Sequence, residues 1–178
     1  MRKVTSLVRH MPWLLILAAC LGFIINLHPY ELYLGVSLVF GMSIALMMLF
    51  FAGGWWGVVV AIPASLATVY LWGQPYSCLI FLLEAIVITM CCNSRYGEPL
   101  LQKGYIIIVD FLFWLMVGSP LYYFSHLYLI GLSHDDALSI AEKAMLNGVL
   151  NTLIAFSFYS SLSLLRNKRI QGKPTISI

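Results

Sequence analysis

The sequence predicts an all-α fold, namely a polytopic membrane bundle of about six transmembrane helices with both chain ends on the cytoplasmic side. Composition is one reason, because 61% of the 178 residues are hydrophobic and only 10% are charged, against roughly 25% charged residues in a soluble domain. The distribution of basic residues is the other, because basic flanks mark the cytoplasmic side of a membrane. When the apolar runs are threaded through a bilayer, nine of the ten basic residues fall on one side. These nine are Arg2, Lys3, Arg9, Arg95, Lys103, Arg166, Lys168, Arg169 and Lys173, and only Lys143 is left out.

The chain is predicted to divide into three regions. Residues 1–11 form a cytoplasmic basic N-terminus, residues 12–165 the transmembrane domain, and residues 166–178 a cytoplasmic basic tail or linker. Since each span takes about 20 residues, roughly two-thirds of the chain lies in the membrane, and no room remains for a separate soluble domain. The first apolar run lacks the small-residue cleavage pattern of a signal peptide, so we expect it to be retained as the first helix.

The first four spans are predicted at residues 12–27, 32–51, 55–72 and 77–92. Their apolar character supports a helix in each case. Small residues in the second span, namely Gly35, Gly41 and Ala45, allow close helix packing. Pro63 lies inside the third span, where the lost backbone hydrogen bond predicts a kink.

The fifth apolar segment, residues 105–130, is too long for one straight span. It is interrupted by a Gly-Ser-Pro sequence at residues 118–120. Proline cannot donate the backbone hydrogen bond that a continuous helix needs at that position. We therefore expect a helix to about Val117, a break, and then a second helical piece.

The sixth span is predicted at residues 144–165, at the end of a helix that begins amphipathically. Ser133 or Asp135 is expected to cap the start of that helix. Asn147 and Asn151 lie four residues apart and therefore share one helix face. Because an amide in lipid must find partners, this polar stripe is predicted to face the interior, where it lines a ligand cavity or ties helices together.

Two carboxylic acids, Glu84 and Asp110, lie inside predicted spans, where a charge costs a few kcal/mol. Their spans are consecutive and antiparallel, so the two side chains are expected at similar depth. One interpretation is a polar pocket or a proton-linked site. The other is a neutral acid that is hydrogen-bonded to a neighbouring helix. Glu84 is the first of our candidate ligand-binding residues, and Asp110 is a secondary candidate.

Nothing in the sequence predicts catalysis. It contains no phosphate-binding loop and no metalloprotease or serine-hydrolase motif, so we expect no catalytic residues and no cofactor. The four cysteines lie in apolar segments without a CxxC pair. His126, a secondary ligand candidate, lies near His134, Asp135 and Asp136, but their spacing matches no metal-ligand motif, so no metal is expected. The net charge of +3 comes from residues that set orientation and does not indicate nucleic acid.

Three stretches carry a resemblance to a known family. They are GVSLVFGMS at 35–43 with GWWG at 54–57, YLWGQPY at 70–76 with IFLLEA at 80–85, and LNGVLNTLIA at 146–155. Together they resemble the N-terminal multi-helix membrane sensory domain of bacterial sensor histidine kinases and GGDEF diguanylate cyclases. The resemblance extends over roughly residues 34–165.

This resemblance implies a sensory input module of a bacterial signal-transduction protein, such as a two-component system, in the bacterial inner membrane. It implies that a small ligand or a membrane state is detected and relayed through the last helix to a signalling partner, in a homodimer or with an output domain further along a longer chain. The positions that match the family are the tryptophan-glycine turn, Glu84 and the Asn147/Asn151 stripe. The candidate ligand-binding residues are Trp72, Tyr76, Glu84, Asn147 and Asn151.

Two alternatives remain open at this point. The chain also suits the substrate-binding membrane component of a vitamin or metal uptake transporter, which has about six helices and an outward-facing pocket. A purely structural membrane anchor is the third interpretation. It predicts that Glu84 and Asn147 can be replaced by apolar residues without loss of function.

Overall fold

The computed structural model describes residues 12–32 and 36–171, with side chains for residues 12–31 and 37–165. The predicted N-terminal segment 1–11, Gly35 of the small-residue face and the last seven residues of the predicted tail lie outside the described residues. The described chain is all-α except for one short β-hairpin. It forms seven helices: α1 (Pro12–Leu27), α2 (Gly41–Ala52), α3 (Trp56–Trp72), α4 (Tyr76–Asn93), α5 (Gly97–Gln102), α6 (Tyr105–Ile130) and α7 (His134–Gln171).

Helices α1, α3 and α4 occupy the first, third and fourth predicted spans. Helix α3 runs through Pro63 without interruption and ends at Gly73, whose left-handed backbone (φ 67°) lets its N–H donate to the carbonyl of Val69. A residue with a side chain is disfavoured in that conformation, so glycine stops the helix and turns the chain towards α4.

The predicted second span is wrong as a continuous helix. Its first part belongs to an antiparallel hairpin of β1 (Tyr30–Leu32) and β2 (Val36–Leu38). Helix α2 begins only at Gly41 and has 12 residues. The sequence pattern was misleading because the apolar residues of the two strands read like part of a membrane helix. The chain between this hairpin and α2 is held by side chains from distant parts of the sequence.

The predicted break in the fifth segment is also wrong, because α6 is continuous from Tyr105 to Ile130. Departures from α geometry do occur there, as π-helical turns at Trp114–Gly118 and Ser125–Ile130. Pro120 lies in the first turn of the α-helical piece between them. The wider π-helical turn before Pro120 accommodates the missing backbone N–H group, so the helix does not end there.

Helix α7 is one helix of 38 residues that includes the predicted sixth span. Ser133 caps its start: its Oγ accepts a hydrogen bond from the backbone N–H of Asp136 at 3.2 Å and donates to the Asp136 carboxylate at 2.6 Å. Of the two predicted caps, Ser133 is therefore the one that is used. The short helix α5 lies between α4 and α6.

The bundle has two ends, and they differ. The hairpin end carries β1–β2, the α3–α4 turn and the α6–α7 turn. The opposite end carries the α2–α3 turn and α5. Helix α3 packs against α1, α2 and α4, while α7 packs against α2 and α6. Large apolar side chains remain exposed around the bundle, among them Trp13 and Tyr70, far more than a soluble protein presents to water.

Three of the described helices are long and apolar enough to cross a membrane: α4, α6 and residues His134–Leu165 of α7. Helices α1, α2 and α3 are apolar but shorter. These features indicate a multi-pass membrane protein, as the sequence predicts.

Candidate functional site

A cavity of about 340 Å³ opens at the hairpin end of the bundle. This volume lies at the small end of the range of ligand pockets. Strand β2, the α3–α4 turn, α4, α6 and α7 all contribute to it. Its lining residues are Ser37, Trp72, Gln74, Ser77, Phe81, Tyr122, His126, Ile140, Lys143, Ala144 and Asn147. We call this space the hairpin-end cavity.

Aromatic rings form one wall of the hairpin-end cavity. The His126 ring stacks on Tyr122 with centroids 5.5 Å apart and planes 11° apart. Phe81 meets Tyr122 edge-on at 6.5 Å. Both Tyr122 and Phe81 are buried. This wall presents a flat, rigid surface to an apolar or planar part of a ligand.

A polar group lies beside this wall. The Nδ1 atom of His126 is 2.8 Å from the carbonyl oxygen of Tyr122, so Nδ1 carries the proton and donates. The Nε2 atom then accepts from the side-chain amide of Gln74 at 3.1 Å. The Gln74 carbonyl oxygen is buried without a hydrogen-bond partner, and the Ser77 hydroxyl neighbours the Tyr122 hydroxyl. Buried polar atoms of this kind are available to a bound molecule.

Helix α7 supplies the opposite wall through Ile140, Lys143, Ala144 and Asn147. Their spacing of three and four residues puts all four on one face of the helix. Lys143, the one basic residue outside the predicted cytoplasmic regions, therefore lines the hairpin-end cavity. Its charge, the amides and the aromatic wall suit a small ligand that combines a polar or anionic group with an apolar part.

Asn151 stabilises the irregular chain between the hairpin and α2. Its Oδ1 accepts from the backbone N–H of Ser43 at 3.0 Å and from the Ser43 hydroxyl at 2.6 Å. Its Nδ2 donates to the carbonyls of Val39 and Asn147, both at 2.9 Å. All the hydrogen-bonding capacity of this amide is used within the protein. Asn151 therefore supports a wall of the site rather than offering a free group to a ligand.

Asn147 and Asn26 complete this support. Asn147 Oδ1 accepts from the N–H of Val39 at 3.1 Å and the residue also lines the hairpin-end cavity. Asn26 Oδ1 accepts from the N–H of Gly41, and its Nδ2 donates to the carbonyl of Ala64 at 2.8 Å. The first turn of α2 would otherwise bury unsatisfied N–H groups. Three asparagines from α1 and α7 thus act where a local capping residue normally would.

Glu84 and Asp110, the two intramembrane acids, come together in the core of the bundle. Glu84 is fully buried and accepts a hydrogen bond from Trp114 Nε1 at 3.0 Å. Asp110 is fully buried as well, and its polar neighbours are Glu84 and Thr152. The Thr152 hydroxyl and the Glu84 carboxyl group are the hydrogen-bonding neighbours of the Asp110 carboxyl group. We call Glu84, Asp110 and Thr152 the buried oxygen cluster.

The structure thus divides the candidate residues among several places. Trp72, Asn147 and His126 line the hairpin-end cavity, Glu84 and Asp110 lie in the buried oxygen cluster, and Asn151 supports the hairpin. Tyr76 lies apart, in an apolar groove between α4 and α6 with Leu79 and Tyr128. His134 accompanies neither site, since its Nδ1 contacts the Tyr123 hydroxyl at 2.6 Å.

Sequence reasoning missed several residues of these sites, among them Gln74, Ser77, Lys143 and Asn26. Gln74 and Ser77 line the hairpin-end cavity, and as polar residues in and after a turn they carried no distinctive signal. Lys143 could have been found, because it is the one basic residue that does not fall on the predicted cytoplasmic side. Asn26 could have been found too, because an amide within the first apolar run must find a partner.

Comparisons of the chain with protein family models, with curated proteins and with solved structures found no match. The resemblance to bacterial sensory domains therefore stays a prediction. The class defined by the fold and the sites is a multi-pass α-helical membrane protein with a small cavity at one end.

Proposed function

We propose that this chain is a membrane-embedded sensory module that binds a small ligand in the hairpin-end cavity and relays binding through α7. The observation that carries the proposal is the course of this one helix. One face of α7 lines the hairpin-end cavity at Ile140, Lys143, Ala144 and Asn147. The same helix continues to Gln171 without interruption.

The length of α7 suits it for transmission. From Ile140 to Leu165 the helix rises about 38 Å at 1.5 Å per residue. This exceeds the roughly 30 Å of a bilayer's hydrocarbon core. A small shift of the helix at the hairpin-end cavity would therefore reach the opposite membrane surface as a rigid-body movement.

The hydrogen bonds of Asn147 and Asn151 to the chain before α2 are a second contact that ligand binding would change. Residues 147 and 151 lie on the face of α7 that meets the chain between the hairpin and α2. A ligand that displaces Asn147 changes the hydrogen bonds of Val39 as well. Ligand binding is thus coupled to the position of α2, which packs against α7.

For the topology we propose six membrane crossings with both chain ends in the cytoplasm of a bacterium. The basic residues support this orientation. In the second crossing, the hairpin and the 12-residue helix α2 together cover the depth that one longer helix would span. Irregular backbone is tolerated at such depth where protein groups satisfy it, as the three asparagines do here. The hairpin-end cavity then opens outwards.

For the partner we propose a cytoplasmic signalling output, in a homodimer or with a histidine kinase or diguanylate cyclase. The resemblance of residues 34–165 to sensory input domains supports this output. The alternative is the substrate-binding component of an uptake transporter, which would use the same outward-facing cavity. The two functions differ in the step after ligand binding, since a transporter component moves its ligand across the membrane.

The proposal is tested with the full chain in lipid nanodiscs. A library of small metabolites is screened for compounds that raise the melting temperature, and hits are repeated with Ala144→Phe, which fills the hairpin-end cavity. Leu162→Phe, at an exposed position far along α7, is the control. We expect the hits to stabilise the natural chain and the control but not Ala144→Phe. Hits that are equally effective on all three would place binding elsewhere and refute the site.

The relay is tested by distance measurements between two spin labels, in a chain whose four cysteines are replaced. One label is attached at Met90 on α4 and the other at Leu165 on α7, both exposed. We expect a hit to shift the distance distribution, and Ala144→Phe to abolish the shift. A ligand that binds without any shift, and is transported into vesicles, would favour the transporter alternative.

A further inference from the structure

We propose that the hairpin-end cavity selects an aromatic carboxamide, that is, an uncharged planar ligand whose N–H group donates to Gln74. The inference rests on the proposed function, because it specifies the ligand of the same cavity. It assigns two roles within the lining: Gln74 selects the donor group of the ligand, and His126 positions Gln74. Both roles follow from a row of hydrogen bonds that begins at a backbone carbonyl of α6.

The first link of this row is the His126 ring, whose proton position is fixed by the backbone. The carbonyl oxygen of Tyr122 can only accept a hydrogen bond, and it lies 2.8 Å from His126 Nδ1. Nδ1 therefore carries the proton of the neutral imidazole, and Nε2 is left as an acceptor. The ring is buried, and turning it over would place carbon at the Tyr122 carbonyl and break this hydrogen bond.

The second link is the side-chain amide of Gln74. Its Nε2 lies 3.1 Å from His126 Nε2, and since that ring nitrogen accepts, the amide presents its NH2 group to His126. The carbonyl oxygen of the amide, Gln74 Oε1, consequently faces away from the histidine. It is buried and has no hydrogen-bond partner among the described residues. Buried acceptors in folded proteins are nearly always paired, so this oxygen indicates a donor on a bound molecule.

The hairpin-end cavity also supplies a donor of its own. Asn147 Oδ1 accepts from the N–H of Val39 at 3.1 Å, which fixes the orientation of this amide too. Its Nδ2 group makes no hydrogen bond within the part of the chain that the structure describes, and Asn147 lines the cavity. A ligand therefore meets one acceptor, at Gln74, and one donor, at Asn147. A carboxamide carries the complementary donor and acceptor in one planar group.

The aromatic wall of the hairpin-end cavity suits a ring beside this carboxamide. The rings of His126 and Tyr122 are nearly parallel, with planes 11° apart, and Phe81 meets Tyr122 edge-on. Such a wall favours another flat ring, because aromatic groups interact through stacked and edge-to-face pairs. The volume of about 340 Å³ restricts the ligand to a small molecule.

A carboxylic acid is the competing ligand class, because Lys143 borders the same cavity. An ionised carboxylate has acceptors only. In the orientation of the carboxamide it would place an oxygen against Gln74 Oε1, with no proton between the two atoms. An uncharged amide places an N–H group there instead. The acceptor at Gln74 therefore favours the amide over the acid.

Three probes that differ in a single group test the ligand class, with the full chain in nanodiscs. Benzamide, acetophenone and benzoate share the ring and the carbonyl group and carry NH2, CH3 and O⁻ respectively. We expect benzamide to raise the melting temperature with half-saturation at about 1 mM, since a small ligand gains a limited free energy per atom. Acetophenone and benzoate are each expected to need an about tenfold higher concentration, because both leave Gln74 Oε1 unpaired.

Two variants identify the residues. Gln74→Met keeps the length of the side chain and removes its polar atoms, so benzamide is expected to bind about tenfold more weakly and to lose its advantage over acetophenone. His126→Phe keeps a ring beside Tyr122 but removes the acceptor that orients Gln74, so the preference is expected to fall to about threefold or less. A merely structural role of His126 would weaken all three probes alike. Gln102→Met, at an exposed glutamine of α5, is the matched control and should keep the full preference.

Four results would overturn the proposal. The first is no stabilisation by benzamide at concentrations up to about 10 mM. The second is an equal effect of benzamide and acetophenone. The third is a stronger effect of benzoate, which would make the ligand an acid that is bound through Lys143. The fourth is a benzamide preference that both Gln74→Met and His126→Phe retain.

Failure of this inference differs from failure of the proposed function. If one of these four results is obtained while the library hits still lose their effect in Ala144→Phe, the cavity binds a ligand of another class and the sensory proposal stands. If the benzamide preference is found but benzamide gives no shift between the spin labels on α4 and α7, the ligand class stands and the relay is refuted.

Discussion

The indole ring of Trp114 occupies the space that a side chain at residue 148 would need. A Cβ atom at Gly148 would lie 2.0 Å from Trp114 Nε1. The ring is fully buried and makes its hydrogen bond to Glu84 from this position. Gly148 of α7 thus determines how closely α6 and α7 approach. It also fixes the position of the Trp114 N–H group that donates to Glu84.

Gly148→Ala is therefore expected to destabilise the protein by about 3 kcal/mol, at the upper end of the cost of overpacking a core. Chemical or thermal unfolding in nanodiscs measures this free energy. Trp114→Phe has a smaller ring, so the double variant Trp114→Phe with Gly148→Ala should lose less than the sum of the two single variants. Additive losses would show that the ring and residue 148 are not in contact.

Asn151→Leu is expected to cost more stability than Asn147→Leu. Replacing Asn151 leaves the carbonyl of Val39 and the hydroxyl of Ser43 buried without these partners, for which we expect a loss of about 3 kcal/mol at 1–3 kcal/mol per group. Asn147→Leu leaves only the N–H of Val39, and we expect about 1–2 kcal/mol on the same basis. Unfolding of both variants under identical conditions gives the order. Equal or reversed losses would contradict the supporting role of Asn151.

Gly41→Ala is expected to disturb the contact of α1 with α2. A Cβ at residue 41 would lie 2.1 Å from the backbone carbonyl oxygen of Gly22, and backbone cannot move aside as a side chain can. We expect a loss of about 3 kcal/mol or failure to fold. Gly22→Ala is the matched control, because its Cβ would lie 3.2 Å from its nearest neighbours, and we expect about 1 kcal/mol or less. Similar effects of the two substitutions would refute the contact.

The proposed orientation is tested by cysteine labelling in intact cells. In a chain whose four cysteines are replaced, Asp135→Cys places a thiol at the hairpin end and Arg95→Cys places one at the opposite end, both at exposed positions. A membrane-impermeant maleimide should label residue 135 in spheroplasts, but residue 95 only after lysis. The reverse pattern would invert the topology and make the hairpin-end cavity face the cytoplasm.

Apolar runs along the chain made most of the helices predictable. Helix α1 covers the predicted residues, and α3 and α4 agree within one residue at each end. The Ser133 cap was predictable as well, because its partner Asp136 is three residues away. Such features depend on residues close in sequence, and these can be read without knowing the packing.

The hairpin could not be predicted in this way. The chain that leads from it into α2 is held by Asn147 and Asn151, more than a hundred residues further along. The two amides were predicted to face the interior, but nothing in the sequence paired them with Val39. The continuity of α6 was missed for a related reason, since a π-helical turn before Pro120 has no pattern of its own in the sequence.

The candidate site was predictable only in part. Two carboxylates in consecutive apolar spans were enough to predict that Glu84 and Asp110 lie at similar depth. The contribution of Thr152 depends on how α7 packs against α6, which no local pattern specifies. Likewise, Trp72 and Tyr76 are only four residues apart, but they lie on either side of the α3–α4 turn and border different surfaces.

The distance along the chain between α2 and its asparagine partners has a consequence for biosynthesis. When α2 leaves the ribosome, the backbone groups of Val39 and Ser43 have none of their final partners on α7, which are 108 to 112 residues away. At about 5–20 residues per second, translation reaches Asn151 some 5–20 seconds later. During that interval the nascent segment needs hydration or the protected environment of the insertion machinery. In the proposed topology, the second crossing is therefore expected to settle in the bilayer last, together with the sixth, and not in the order of synthesis.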